Sequence, residues 1–212
     1  MDLSFLSRII GFIIALTVHE FAHALIAFKL GDPTAKYKGR LTLNPIKHID
    51  PFGTVLLPIA LSISSPYTFG YAKPVPINPY NLKGRHSEIW VSLAGPFSNF
   101  IVAFLTILFY KLTPDTVTAN WSKDFIDLIM IIFYTNIAIG VFNLIPVAPL
   151  DGSKILMSLL PYSLHRVKEF IQNYSLFILI FIILFGRGFL SALIILVAQI
   201  ITGLVFWLTS FL

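Results

Sequence analysis

Residues 5–30 read FLSRIIGFIIALTVHEFAHALIAFKL, and this stretch decides the reading of the whole chain. As a helix it is long enough to cross a hydrocarbon layer about 30 Å thick. Yet its interior holds His19, Glu20 and His23. An ionisable side chain at mid-bilayer costs about 2.5–3.5 kcal/mol on the insertion scale, so three within five residues call for a function. Residues four apart share a helix face. His19 and His23 can therefore reach one tetrahedral Zn²⁺ together, with Glu20 beside it as a base. With five His and three Glu in the chain, a chance HExxH occurs in roughly 0.002 of such sequences. The plainer reading is a polar patch hydrogen-bonded between helices, but a lone Asn or Ser would serve that purpose more cheaply.

The rest of the chain agrees with a membrane setting. Of its 212 residues 57% are apolar and 12% charged, and the mean hydropathy is +0.85. A soluble domain carries about 25% charged residues. That excludes an ordinary cytosolic enzyme, a disordered chain and a nucleic-acid binder, and predicts an all-α polytopic membrane protein. The net charge of +5 then reads as loop charge that orients spans. With no cysteine, disulfides and thiolate metal sites are excluded, and any metal must take His, Asp, Glu or backbone. The first apolar stretch has no small-residue cleavage site and is longer than a signal h-region, so a retained span is expected.

Segments 88–110, 125–145, 170–186 and 188–212 also have span length, and Gly186-Arg187-Gly188 makes 170–212 a helical hairpin. Segment 52–65 is short and punctuated by Pro51, Pro58 and Pro66, which suits a re-entrant or interfacial element. If it does not cross, segments 31–87 and 146–169 share one side with ten Lys and Arg, against three opposite (Lys111, Lys123 and Arg187). The positive-inside rule makes the ten-charge side cytoplasmic and puts the N-terminus outside. The expectation is about five to six transmembrane helices: five full spans and one re-entrant or short extended segment between the first two. The protein is then integral and multi-pass, in the plasma (inner) membrane. Segment 71–79, YAKPVPINP, carries three prolines and reads as an edge strand or extended segment.

Two histidines do not complete a catalytic zinc site, which needs a third protein ligand and a position for water. His48, His86 and His165 lie in charged loops, where a histidine is usually a solvated surface group. Asp151 closes the stretch NLIPVAPLDG at 143–152, whose Pro146, Pro149 and Gly152 interrupt regular helix. Open backbone at membrane depth is tolerated only where it lines a protein or water cavity. Asp151 has two readings of equal standing: a metal ligand, or the cap of a helix starting near 153.

HEFAH within the first span, AGPFSNF at 94–100 and NLIPVAPLDG at 143–152 together resemble the site-2 protease family of intramembrane zinc metalloproteases. The likeness covers most of residues 9–160. LNPIKHIDPFGT (43–54) and GYAKPVPINP (70–79) are similar to the compact branch without an inserted PDZ domain, and loop 111–124 is too short for one. The resemblance implies one intramembrane metalloprotease domain over 1–212, with a catalytic core at about 5–160 and the hairpin 170–212. It implies one Zn²⁺ per chain, with His19, His23 and Asp151 as metal ligands and Glu20 as the catalytic glutamate. Asn143 matches an asparagine that holds the substrate strand or the transition state. Ser153 and Lys154 stand where the family often has Gly and Arg. His48 and Asp50 remain structural or supporting candidates.

The implied function is hydrolysis of peptide bonds within or near transmembrane segments, that is, regulated intramembrane proteolysis, at a site opening toward the cytoplasm. The partners are a membrane-spanning protein or peptide substrate and the lipid bilayer, with no nucleic acid; a homo-oligomer is neither required nor excluded. A helical substrate must unwind, and segment 71–79 either holds it as an added strand or is a plain connector. The main alternative is a membrane transporter or channel for divalent metal ions, which predicts a track of ionisable groups through several spans. Segments 170–186 and 188–212 carry none. A catalytically dead scaffold is disfavoured by the intact His19, Glu20, His23 and Asp151.

Overall fold

A computed structural model describes residues 3–56 and 70–211. Helix α1 (Leu3–Lys29) carries the HEFAH stretch. It stops at Gly31, whose φ of 106° suits the left-handed turn that closes many helices, and the Asp32 amide bonds back to the Ala27 carbonyl at 2.9 Å. A short α2 (Thr34–Tyr37) follows, then irregular chain with a π-helical turn at Pro51–Leu56. Helix α3 (Ser87–Leu112) leads through a four-residue α4 (Asp115–Thr118) to α5 (Lys123–Asn143). Ser122 caps α5 by accepting from the Phe125 amide, with Asp124 in the first turn, both favourable at a helix N-terminus. Then come α6 (Asp151–Leu159), α7 (His165–Asn173), α8 (Ser175–Phe185) and α9 (Arg187–Thr209).

Helices α1, α3 and α5 pack against one another; α9 lies on α3 and α5, and α6 on α3. The largest core cluster joins Ala103 and Ile107 of α3, Phe133, Ile137 and Val141 of α5, and Ala198, Ile201 and Val205 of α9. Contact is close where residues are small: a Cβ on Gly140 would come within 2.6 Å of the Phe100 ring. Small residues let helix backbones approach where water supplies no drive to associate. The outer face of α3 exposes Trp90, Phe97, Ile101, Leu105 and Phe109. Steps of seven and four make one apolar stripe, fit for lipid.

The chain is all-helical, and no strand occurs among the described residues. Among the described residues, four helices are long and apolar enough to cross a membrane: Leu6–Lys29, Ser87–Leu112, Lys123–Asn143 and Arg187–Thr209. A fifth span exists if α7 and α8, bent by 63° at Tyr174, count as one. The expected span 170–186 thus becomes a bent element. Its apolar part, α8, has 11 residues and reaches about 16 Å, and α7 begins with the polar run His165-Arg166-Val167-Lys168-Glu169. Gly186 alone separates α8 from α9, and Arg187 and Gly188 of the expected turn are the first residues of α9. Of the expected re-entrant segment 52–65, only the first residues are described, and the rest lies outside the described residues. Segment 71–79 is extended up to a 3₁₀ turn at Pro79–Asn81, without a partner strand among the described residues.

Candidate metal centre

His19 and His23 face the same side of α1, as their spacing requires, and both are buried. Asp151, 132 residues beyond His19, meets them there: Oδ2 lies 3.0 Å from Nε2 of each ring. One donor atom from each of the three residues lies within 4.8 Å of the others. Asp151 is the first residue of α6, not its cap; Leu150 holds the cap position. Gly152 brings the carboxylate in. Its Cα sits where a Cβ would strike the Leu144 carbonyl and lie 2.5 Å from that of Ile145.

The other nitrogen of each ring is committed. Nδ1 of His19 donates to Oδ1 of Asn99 at 2.7 Å, and Nδ1 of His23 donates to the Val91 carbonyl at 2.7 Å. Both partners only accept, so both Nδ1 atoms carry hydrogen. A neutral ring then aims its Nε2 lone pair at Asp151. Two lone pairs 3.0 Å from one carboxylate oxygen repel unless a metal ion or added protons sit among them. Two imidazoles and a carboxylate with outer nitrogens so held are a zinc donor set. The residues therefore fit a metal ion.

Glu20 lies beside the ligands on α1, and its carboxylate is held by segment 71–79. Its Oε2 accepts from the Val75 amide at 2.7 Å. Segment 71–79 thus crosses α1 at Glu20, and other bonds tie it down. Arg40 Nη2 donates to the Lys73 carbonyl at 2.5 Å. The Lys73 amide donates to the His48 carbonyl at 3.0 Å, and Asp32 accepts from the Asn78 amide at 2.7 Å and from Nδ2 of Asn81 at 2.9 Å. Asn143 ends α5 and donates to its own helix, at Ile139 O 3.0 Å away. His48 bonds the Thr42 carbonyl and Asp50 accepts from the Gly53 amide; both brace their loop. His86 and His165 are exposed, and His165 stacks on Tyr162.

A cavity of about 460 Å³ adjoins the centre, with Val75 and Ile77 on one wall, Val91 and Ser92 on another, and Lys154 and Met157 on a third. Sequence reading assigned no role to Asn99, Asn136, Gly95 or the Val91 carbonyl. Asn99 and Asn136 are wholly buried, and an amide inside an apolar span was the visible signal for both.

Comparison with known proteins gives the same reading independently. The profile of peptidase family M50 matches residues 110–186. YwhC of Bacillus subtilis, named as a zinc metalloprotease, is 39% identical over 182 residues, covering 84% of this chain and 78% of that protein. Rip2 of Mycolicibacterium smegmatis, likewise named, is 32% identical over 149 residues, 70% of this chain and 55% of its own length. Rip2 of Mycobacterium tuberculosis is 30% identical over 153 residues, with the same shares. No solved structure matches the chain. Thirty-nine per cent identity over more than four-fifths of a chain reflects common descent, not merely shared apolar composition, and so the chain belongs to peptidase family M50, the site-2 protease family, as a multi-pass membrane metalloprotease.

Proposed function

We propose that the protein is an intramembrane zinc endopeptidase that cleaves membrane-spanning proteins within or near their transmembrane segments, in regulated intramembrane proteolysis. The observation that carries this is the convergence of His19, His23 and Asp151 inside a span, with both outer ring nitrogens committed to acceptors. These three would hold the ion, in one domain made by the whole chain. Bound there, zinc would supply a water of pKa about 7 and polarise the scissile carbonyl.

The chain's own groups do the rest. Glu20 takes the water's proton and returns it to the leaving amine. To do so its carboxylate must release the Val75 amide, which makes segment 71–79 part of the working site. Asn143 swings from Ile139 to donate to the tetrahedral oxyanion. The apolar cavity between Val75, Val91 and Met157 receives the unwound substrate, and Lys154, which bonds Oδ1 of Asp151 at 3.2 Å, marks its polar edge. His19 lies ten residues before the end of α1, about 15 Å along the helix axis. The Lys- and Arg-rich segments 31–87 and 146–169 supply a hydrated approach from the cytoplasm, in the plasma (inner) membrane. A metal transporter is disfavoured because α9 carries no ionisable group after Arg187.

The test is Glu20→Gln in vesicles with a single-span substrate. Zinc content should stay at one per chain while cleavage falls at least 100-fold, within the usual range for losing a general base. Undiminished cleavage, or zinc flux without proteolysis, defeats the proposal.

A further inference from the structure

We propose that Asn136, which touches none of the three ligands, fixes the tautomer of His19 through the amide of Asn99 and is thereby a positioning residue for the metal. The inference rests on reading His19, His23 and Asp151 as zinc ligands.

The argument runs outward from a helix carbonyl. The carbonyl of Ile132 can only accept. Nδ2 of Asn136 donates to it at 2.8 Å, so Oδ1 of Asn136 faces the other way, toward α3. There it accepts from Nδ2 of Asn99 at 3.0 Å. The second hydrogen of that amide goes to the Ala15 carbonyl at 2.9 Å. Both donors of Asn99 are now used, and its Oδ1 is left facing Nδ1 of His19 at 2.7 Å. Turning Asn99 over would set its oxygen against two acceptors and its NH₂ against the ring. Turning Asn136 over as well would oppose its oxygen to the Ile132 carbonyl. An amide's orientation is readable only from such a network, and here every bond gives the same answer.

The consequence is chemical. Oδ1 of Asn99 demands a hydrogen on Nδ1 of His19, which leaves the Nε2 lone pair free for a metal. His23 needs no such relay, because a backbone carbonyl, that of Val91, cannot turn over. His19 relies on a side-chain amide, and an amide has two faces. Two acceptors remove the ambiguity, the Ala15 carbonyl on α1 and Oδ1 of Asn136 on α5, and Asn136 is the one that a side-chain substitution can take away. Both asparagines are fully buried, so no water competes for these positions.

Asn136→Leu keeps the volume and removes the acceptor. Outer partners of metal ligands are typically worth 10- to 100-fold in affinity, and we expect about tenfold weaker zinc binding by chelator competition in purified folded protein. Histidine ¹⁵N spectra of the metal-free variant should show a new His19 population with hydrogen on Nε2, and His23 unchanged. Ile137→Ala, an apolar truncation at the next buried position, should lower the melting temperature without changing zinc affinity or tautomer. In an Asn99→Asp background, where a carboxylate presents oxygen in either orientation, Asn136→Leu should cause no further loss of zinc affinity. Zinc affinity of Asn136→Leu within twofold of the parent overturns the inference alone. So does equal loss in Ile137→Ala, or the same loss in both backgrounds at position 99. A parent protein that takes up no zinc overturns the metal reading and the inference with it.

Discussion

Gly95→Ala should cripple the metal centre while leaving helix α3 formed. Gly95 faces α1, and a Cβ built there lies 2.6 Å from both Cε1 and Nε2 of His19 and closer still to Nε2 of His23. Ordinary contact begins near 3.4 Å, so the His19 ring would have to retreat by about 0.8 Å and the His23 ring by about 1.0 Å, whereas metal–ligand distances tolerate only about ±0.2 Å. The rings have little freedom to retreat, because their outer nitrogens are bonded to Asn99 and Val91. Both anchors belong to α3, the helix that carries the new methyl. Relief must come from parting α1 and α3, an overpacking that costs about 1–3 kcal/mol. Levied on the metal-competent geometry, that weakens zinc binding about 5- to 150-fold. The assay is zinc affinity by chelator competition in detergent micelles, with helix content followed by circular dichroism. Gly203→Ala is the control: nothing lies within 4 Å of its Cβ position, so zinc affinity should be unchanged. A Gly95→Ala protein that binds zinc within threefold of the parent would refute the packing argument, as would equal loss in Gly203→Ala.

Three further outcomes are expected. A zinc chelator such as 1,10-phenanthroline should abolish cleavage and added Zn²⁺ should restore it; cleavage that survives exhaustive chelation contradicts the metal mechanism. Arg40→Met should loosen segment 70–78, so limited proteolysis there should quicken about tenfold, as loss of a charge-assisted bond worth 1.5–3 kcal/mol implies; an unchanged digestion rate means Arg40 does not hold the segment. Burial opposes the charge on Asp32, but bonds from Thr34, Asn81 and the Asn78 amide prevail and lower its carboxyl below the ordinary value. A lowered native pKa stabilises above the unfolded pKa, and the gain fades as pH falls through the native one. Melting temperature should therefore drop below about pH 4, and Asp32→Asn should melt lower at pH 7 with a shallower acid fall; identical pH profiles for the two proteins would contradict this.

Spans were legible because hydropathy over some twenty residues is a local sum that tertiary structure cannot alter. The bend at Tyr174 was not, since 170–186 is uniformly uncharged and the break comes from where polar α7 leaves off. His19 and His23 were legible because their relation is a helix period. Asp151 was not fixed by pattern: capping and ligation predict the same residue at the same place, and only resemblance to a family separated them. In the structure Leu150 holds the cap position, and the Asp151 carboxylate lies 3.0 Å from two imidazoles, 128 and 132 residues away in sequence. Val91 was beyond reach for a different reason, because the group that matters is its carbonyl, and every residue has one. Asn99 and Asn136 were the recoverable omission. An amide within a span costs free energy unless partnered, and the same test that singled out Glu20 applies to them.

The choice of amides follows from the membrane. The outer partner of a zinc-bound histidine is often a carboxylate, which raises the ligand's basicity and needs no orienting. In the proposed centre a +2 ion and Lys154, which bonds Asp151 at 3.2 Å, would face the carboxylates of Asp151 and Glu20. An aspartate at 99 would add one more ionisable group, wholly buried and about 15 Å along α1 from its nearer end, where such a group costs about 2.5–3.5 kcal/mol. A neutral Asn accepts from His19 without that charge. Its drawback is that an amide turned over presents a donor instead of an acceptor, and then the histidine holds its proton on the wrong nitrogen. A second Asn, anchored to the Ile132 carbonyl, removes that failure without adding charge. A carboxylate at the position of Asn99 would present oxygen in either orientation and would have no need of Asn136, so the pair of neutral amides fits the proposed site at membrane depth.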